Sequence, residues 1–470
     1  MSRINTNIAS LLGRMSLERS QTDLETSLTR LSTGLRINSG KDDPAGLIAS
    51  EAIGSEISGM NFAISNTQLA NEVIATADSA LGQVSQLLND IRGLVTEAAN
   101  TGALSSDQIA ANQLQVDSSL AAIDRIASTT SFQGRKLLDG SLAFVTSGVN
   151  SANLGSVQIA QATVPASGSL TVTVDLTTAA TKANINGLST SGALAAQAVI
   201  EVSGSKGAEV FTFGTGTTAA QITNAINLVQ DATGVTASST GANLTFNSLD
   251  YGSKQFVDIQ TITGSFTGGG TRTSGTDAVG RVNGTSFSAN GNSISLNTST
   301  LDLHATLSTA FTSGASTSFN ITGGGALFQI GPNIVSDQQA RIGMDSVNVA
   351  QLDTTVNGTT RRLFELRSGQ AADLADDPTS AFQIVDSIVS RITTLRGRLG
   401  ALQKTTLDSN LTSLRDTFSN LTEAQSNLRD ADFATETANL TRAQILVQSG
   451  TSVLKIANET PQRVLALLPQ

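Results

Sequence analysis

Between Ile53 and Ala98 the apolar residues recur at alternating steps of four and three. The series runs Ile53, Ile57, Met60, Ile64, Thr67, Asn71, Ile74, Ala77, Leu81, Val84, Leu88, Ile91, Val95, Ala98. That spacing is the a/d seam of a coiled coil. Only Thr67 and Asn71 are polar in it, and the two three-residue steps through Ile74 to Ala77 slip its phase. No proline interrupts the stretch, although Gly54, Gly59, Gly82 and Gly93 weaken it as a helix. A helix of this span would be roughly 70 Å long and could not cover its own apolar stripe. It needs partner helices along its length.

The partners are predicted at both ends of the chain. From Met1 to about Asn38, Ile4, Ile8, Leu11, Leu12 and Met15 form one face, which Leu17, Leu24, Leu28, Leu31 and Leu35 continue. Ser39–Gly46 carries turn residues and breaks the helix. Ser105-Ser-Asp107 caps a third helix that buries Ile109, Val116, Leu120, Ile123 and Ala127, and Phe132–Gly140 reads as a turn or short hairpin. After Pro378 the helical period returns through Val385, Ile388, Ile392, Leu395, Leu399 and Leu402. A five-residue step to Leu407 shifts the phase before Leu411, Leu414, Phe418 and Leu421 resume it. A last helix places Leu440, Val447 and Leu454 one heptad apart, with small Ala443, Gly450 and Ala457 between them. A separate tail helix is expected to begin at Pro461 and to carry Leu465, Leu467 and Leu468.

Between these ends, from about Asn150, the period changes to two and Thr, Ser, Gly and Asn dominate. Ser169–Asp175, Glu209–Phe213, Val235–Ser238, Asn243–Asn247, Ser293–Leu296 and Ser318–Ile321 read as short strands, as does the neighbourhood of Phe287. One helix, Thr218–Val229, interrupts them. The fold class is therefore α+β overall. It is mainly α, with long coiled-coil-like helices from both chain ends packed together, and a β-rich domain inserted between them.

Composition narrows the function more by exclusion than by assignment. Lys+Arg 28 against Asp+Glu 38 gives a net charge of -10 with no basic run, which argues against nucleic acid and an anionic membrane. No apolar run reaches the length of a membrane span, so no membrane insertion is expected, and the opening residues do not read as a cleaved signal peptide. With Cys 0 there is no thiol nucleophile and no thiolate metal site. The single histidine, His304, has no visible partner in sequence to orient it as a base. Gly34 to Lys41 has the wrong spacing for a phosphate loop, and Asp42 stands where such a loop has Ser or Thr. Gly268–Gly270 and Gly323–Gly325 lack a dinucleotide frame, and Trp 0 with Tyr 1 leaves paired acids without sugar platforms. No catalytic residue, cofactor or metal site is expected. What remains is assembly: two apolar-faced ends that would fray unless other subunits bury them.

Three stretches carry a resemblance that gives this assembly a name. They are Arg30-Leu-Ser-Thr-Gly-Leu-Arg-Ile-Asn-Ser-Gly-Lys-Asp-Asp-Pro-Ala-Gly46, Asp124-Arg-Ile through Phe132-Gln-Gly-Arg-Lys-Leu-Leu138, and Leu428-Arg-Asp-Ala-Asp-Phe433 continuing to Leu454. With the opening helix they make roughly the first 140 and last 140 residues similar to bacterial flagellin, and Thr218–Val235 resembles the small hook motif inserted in many flagellins. The resemblance implies an inner terminal domain from 1–42 and 431–470, a helical core from 43–150 and 332–430, and an outer β-rich domain at 151–331. It implies a self-assembling, extracellular filament subunit for swimming. Its further partners would be an export chaperone, the type III export apparatus, and hook-junction and cap proteins.

The assembly residues implied are Ile4, Ile8, Leu11, Leu12, Leu24, Leu28, Leu31, Leu440, Val447, Leu454, Leu465, Leu467 and Leu468. One departure stands out. Where flagellins sensed by the host flagellin-recognising Toll-like receptor carry an Arg-rich surface, Arg92 and Leu94 match, but Asp90 and Gly93 do not. Weak or absent receptor activation is expected. The competing readings are a hook–filament junction protein and, from a different class, a secreted adhesin or hydrolase acting through the middle domain.

Overall fold

The computed structural model describes residues 7–465 except 166–167, 190–192, 265, 267–271, 299 and 357–358. Eight helices are described: α1 Ile8–Thr33, α2 Pro44–Ala98, α3 Ser106–Thr129, α4 Ala219–Asn227, α5 Gln230–Thr233, α6 Pro378–Leu402, α7 Ser409–Arg429 and α8 Phe433–Leu465. The chain falls into two compact units. The first comprises Met1–Leu69, Gln329–Ile334 and Thr405–Gln470, and the second Ala70–Phe328 and Val335–Lys404.

The long helix α2 begins earlier than its apolar pattern. Asp43 accepts a hydrogen bond from the Gly46 N–H at 2.9 Å, and Pro44 opens the first turn, where its missing N–H costs nothing. Its buried stripe runs Met60, Ala63, Thr67, Ala70, Ile74, Ala77, Leu81, Val84, Leu88, Ile91, Val95, Ala98. This is an unbroken three–four alternation. The expected phase slip does not occur, because Ala63 and Ala70 occupy the seam, while Ile64 and Asn71 are only half-buried. Buried Thr67 turns its hydroxyl back onto the Ala63 carbonyl at 2.8 Å.

In the first unit, α1 and α8 pack antiparallel. The helix expected to reach Asn38 ends at Thr33, because Gly34 takes φ 73° and its N–H closes on the Arg30 carbonyl at 2.8 Å. In the same unit α7 lies beside the opening turns of α2. Gln425 donates to the Ser50 carbonyl at 3.3 Å, and Arg429 pairs with Glu51 at 3.0 Å. The five-residue step after Leu402 is taken up by a π-turn over Gln403–Asp408, with Leu407 fully buried. The separate tail helix is not formed: α8 continues through Pro461 to Leu465.

In the second unit, α2 and α6 run antiparallel, joined by Arg396–Asp78 at 2.9 Å and Arg92–Asp386 at 2.9 Å. The α3 helix starts with a capping box between Ser105 and Gln108 and buries Val116, Leu120, Ile123 and Ala127. Polar residues on α3 hold the irregular segment that precedes α6. Gln113 bonds the Leu366 carbonyl (2.8 Å) and the Leu374 N–H (2.9 Å), and Asp124 bonds the Val349 N–H (3.0 Å) and Arg367 (2.8 Å). Of the turn or short hairpin expected over Phe132–Gly140, the structure forms a hairpin at Ser131–Lys136, with Gln133 and Gly134 both at positive φ in its two-residue turn.

The β-rich region holds two cores. A five-stranded and a six-stranded sheet enclose the first, which includes Val172, Val174, Leu303, Phe311, Phe319 and Ile321. Nested between the strands Leu170–Thr178 and Val279–Val282 lies the second. There a four-stranded and a three-stranded sheet pack with Ile222 and Ile226 of α4 around Phe246, Ile200 and Ile259. The sequence pattern separated strands from helices here, but gave no sign of the nesting.

Candidate assembly surface

The α1–α8 pair is built on small residues as much as large ones. The face of α1 turned toward α8 carries Ser10, Gly13, Leu17, Ser20, Leu24, Ser27 and Leu31, at steps of three and four. The matching face of α8 carries Glu436, Leu440, Ala443, Val447, Gly450, Leu454 and Ala457. Large residues on one helix meet glycine on the other: Leu454 packs over Gly13, where a Cβ would lie in ordinary contact at 3.5 Å, and Leu17 over Gly450, where a Cβ would crowd the leucine methyl at 3.2 Å.

This seam divides the expected apolar face of α1 in two. Leu17, Leu24 and Leu31 turn inward, whereas Ile8, Leu11, Leu12 and Met15 point outward and are 57–62% exposed. Leu28 is exposed too, and so are Phe433, Ile445, Leu446, Val453 and Ile456 on α8. Leu440, Val447 and Leu454 face α1 of the same chain and are half-buried. Ile4, Leu467, Leu468 and the Leu465 side chain lie outside the described residues. The periodicity of large side chains cannot separate the two faces, because Ser10, Gly13, Ser20 and Ser27 carry much of the inner seam.

At the base of the pair the two connecting segments are stitched together. Leu35 and Asp430 form an antiparallel bridge, Arg36 N–H donates to the Arg429 carbonyl (2.6 Å), and Ala431 N–H donates to the Gly34 carbonyl (2.9 Å). The Arg36 guanidinium also caps the end of α7 through the Leu428 carbonyl at 2.7 Å. Beside this clasp, Arg30 lies 3.7 Å from Glu436, a carboxylate only 6% exposed. Asp42 accepts from the N–H groups of Ser39 and Asn38, which hold its carboxyl below the usual range. Asp432 is lowered likewise by the Thr435 hydroxyl and by backbone N–H groups at the start of α8.

The receptor-like residues sit on the second unit. Asp90 is exposed and Leu94 half-buried, while Arg92 is engaged by Asp386 and lies over the Phe382 ring. Also in that unit is a polar recess of about 350 Å³, lined by Gln158, His304, Asp345, Asp353, Arg391 and Arg398 among others. Burial lowers the His304 pKa, nearby Arg398 adds to that, and Asp302 at 3.8 Å opposes it. Arg391 is bound to Asp353 at 2.8 Å. Among the described residues no group of three or more His, Asp or Glu side chains is placed to hold a metal ion, and no described helix is long and apolar enough to cross a membrane.

The geometry therefore defines a structural subunit whose end helices leave apolar faces open. Residues 4–143 match the family model for the bacterial flagellin N-terminal helical region, and residues 382–468 that for the C-terminal helical region. The chain is 31% identical to the B-type flagellin of Pseudomonas aeruginosa, 30% to the flagellin of Escherichia coli K12 and 29% to that of Salmonella typhimurium LT2. Each alignment covers 99% of this chain and 99% of the relative. The chain belongs to the bacterial flagellin family. It is a structural subunit of the flagellar filament, which is extracellular, and its setting is flagellar assembly.

Proposed function

We propose that neighbouring subunits bury the outward faces of α1 and α8, and that the filament is held along its inside by that contact. One observation carries this reading: Ile8, Leu11, Leu12 and Met15 form a contiguous exposed apolar face beside a seam that already closes α1 onto α8. Burying such residues contributes about 1.5–3 kcal/mol each, enough to drive association when several act together. Leu24, Leu31, Leu440, Val447 and Leu454 support assembly from inside the pair, by giving the outer face a firm backing. On this reading residues 1–42 and 431–470 form the inner domain, 43–150 and 332–430 the core, and 151–331 the outer domain.

The same family membership supports export of the unfolded chain through the type III apparatus, a chaperone for the C-terminal helices, and hook-junction and cap proteins at the filament ends. It supports a structural, non-enzymatic role. Asp90 and Gly93 support weak activation of the flagellin-recognising Toll-like receptor, and the structure adds that Arg92 is already engaged by Asp386. A dose-response in receptor-bearing cells should lie well to the right of that of an enteric flagellin; coincident curves would overturn this point.

The experiment for assembly is seeded polymerisation of the full chain beside a truncation lacking 429–470, viewed by electron microscopy. Filaments from the full chain and none from the truncation are expected. Filaments from both would remove α8 from the contact.

A further inference from the structure

We propose that Asn7 and Pro461 form a register lock between α1 and α8. In a helix interior each carbonyl accepts from the N–H four residues on. Pro461 lies inside α8 and has no N–H, so the carbonyl of Ala457 loses that partner. The side chain of Asn7 fills the vacancy: its Nδ2 donates to the Ala457 carbonyl at 2.8 Å. Its Oδ1 meanwhile accepts from the Ser10 N–H at 3.0 Å and caps α1. One amide thus satisfies two backbone groups on two helices that are 450 residues apart in sequence. Next to it, Ser10 donates to Asn458 at 2.7 Å.

The apolar seam alone does not define this alignment. Leu17, Leu24 and Leu31 on one side and Leu440, Val447 and Leu454 on the other repeat every seven residues. A slip of one heptad, about 10 Å, would return large aliphatic residues to equivalent positions. Pro461 is the one proline within Phe433–Leu465, so it opens one carbonyl along α8, and Asn7 meets it in one register. A single buried polar pair sets register in coiled coils in the same way. The clasp between Gly34 and Ala431 fixes the near end of the pair, and Asn7 fixes the far end, beside Ile8, Leu11 and Leu12. Asn7 is therefore a positioning residue for that outer face, which ties its role to the assembly reading above.

The test is a double-mutant cycle in the full chain: wild type, Asn7→Ser, Pro461→Ala and both together. Serine keeps the helix cap and the neutral charge but is too short to reach Ala457. Amide exchange of residues 8–13 is read by mass spectrometry, in the free chain and after seeded assembly. Asn7→Ser should speed exchange about five- to tenfold. With Pro461→Ala, which returns an N–H to the Ala457 carbonyl, the same change should have less than about a twofold effect. Equal effects in both backgrounds, or no difference among the four chains, would overturn the lock. A wild-type chain that fails to assemble while its free-chain cycle still shows the coupling would instead overturn the filament contact and leave the lock standing.

Discussion

Aliphatic side chains of similar hydrophobicity do different work in this chain, and only their neighbours distinguish them. Ile91 is fully buried in the α2 stripe, and Leu12 is 62% exposed on α1. Ile91→Ala should lower the unfolding free energy by about 2–5 kcal/mol, since it leaves a cavity that surrounding side chains fill only in part. Leu12→Ala should change the free chain by less than about 0.5 kcal/mol, yet lower the temperature at which filaments dissociate. Denaturant unfolding of the free chain and thermal depolymerisation separate the two; equal losses in the free chain would show that Leu12 is already buried within one subunit. Sequence spacing found both residues but could not rank them. The signal that does so is small side chains: Gly13 under Leu454 and Gly450 under Leu17 mark the closed face, so the opposite face is open. The same blindness to small residues underlies the apparent phase slip through Ile74 to Ala77: Ile64 and Asn71 stand in the expected seam where Ala63 and Ala70 are the buried residues.

At the scale of elements, punctuation was more legible than continuity. Ser105 and Thr218 start helices where the sequence places them, as their capping side chains require, whereas Gly34 ends α1 ahead of the break expected after Asn38. The five-residue step before Leu407 corresponds to a real π-turn. At Pro461 the expected break does not occur: α8 continues through it, and the Ala457 carbonyl left open by the proline accepts from Asn7 at the other end of the chain, a contact no local window contains. The two connectors also give a pH prediction. Asp42 and Asp432 both have lowered pKa values in the folded chain, from hydrogen bonds to their ionised form. The unfolded chain therefore takes up protons first as pH falls, and the stability these bonds contribute is complete above the ordinary carboxylate range. It is lost from about pH 4 downward. Protection factors of the amides at residues 34–47 and 431–436, taken against the intrinsic rate at each pH, should fall over that window before those of the Ile91 region. Unchanged protection factors at the connectors down to pH 2.5 (about one and a half units below the ordinary value) would count against it.

For the whole molecule, the α+β class and the meeting of the two ends followed from the change of period near residue 150 and its reversal after Pro378. The nesting of one β core within another did not, since the pairing between Leu170–Thr178 and Val279–Val282 joins strands about a hundred residues apart, and no local spacing reports a partner at that distance. Function was legible where it depends on what must be covered, and His304 shows the converse: a residue type that suggests chemistry, placed in a polar recess with Asp302 and Arg398 as its charged neighbours. On the proposed reading the outer face of α1 is an intersubunit surface. Its most direct measurement is seeded polymerisation of the full chain carrying Leu11→Glu and Leu12→Glu, with circular dichroism of the free chain as the check on folding. The free chain should be unchanged and filament growth abolished, because two carboxylates would be buried without partners at every contact. Filaments growing at the wild-type rate would contradict the account.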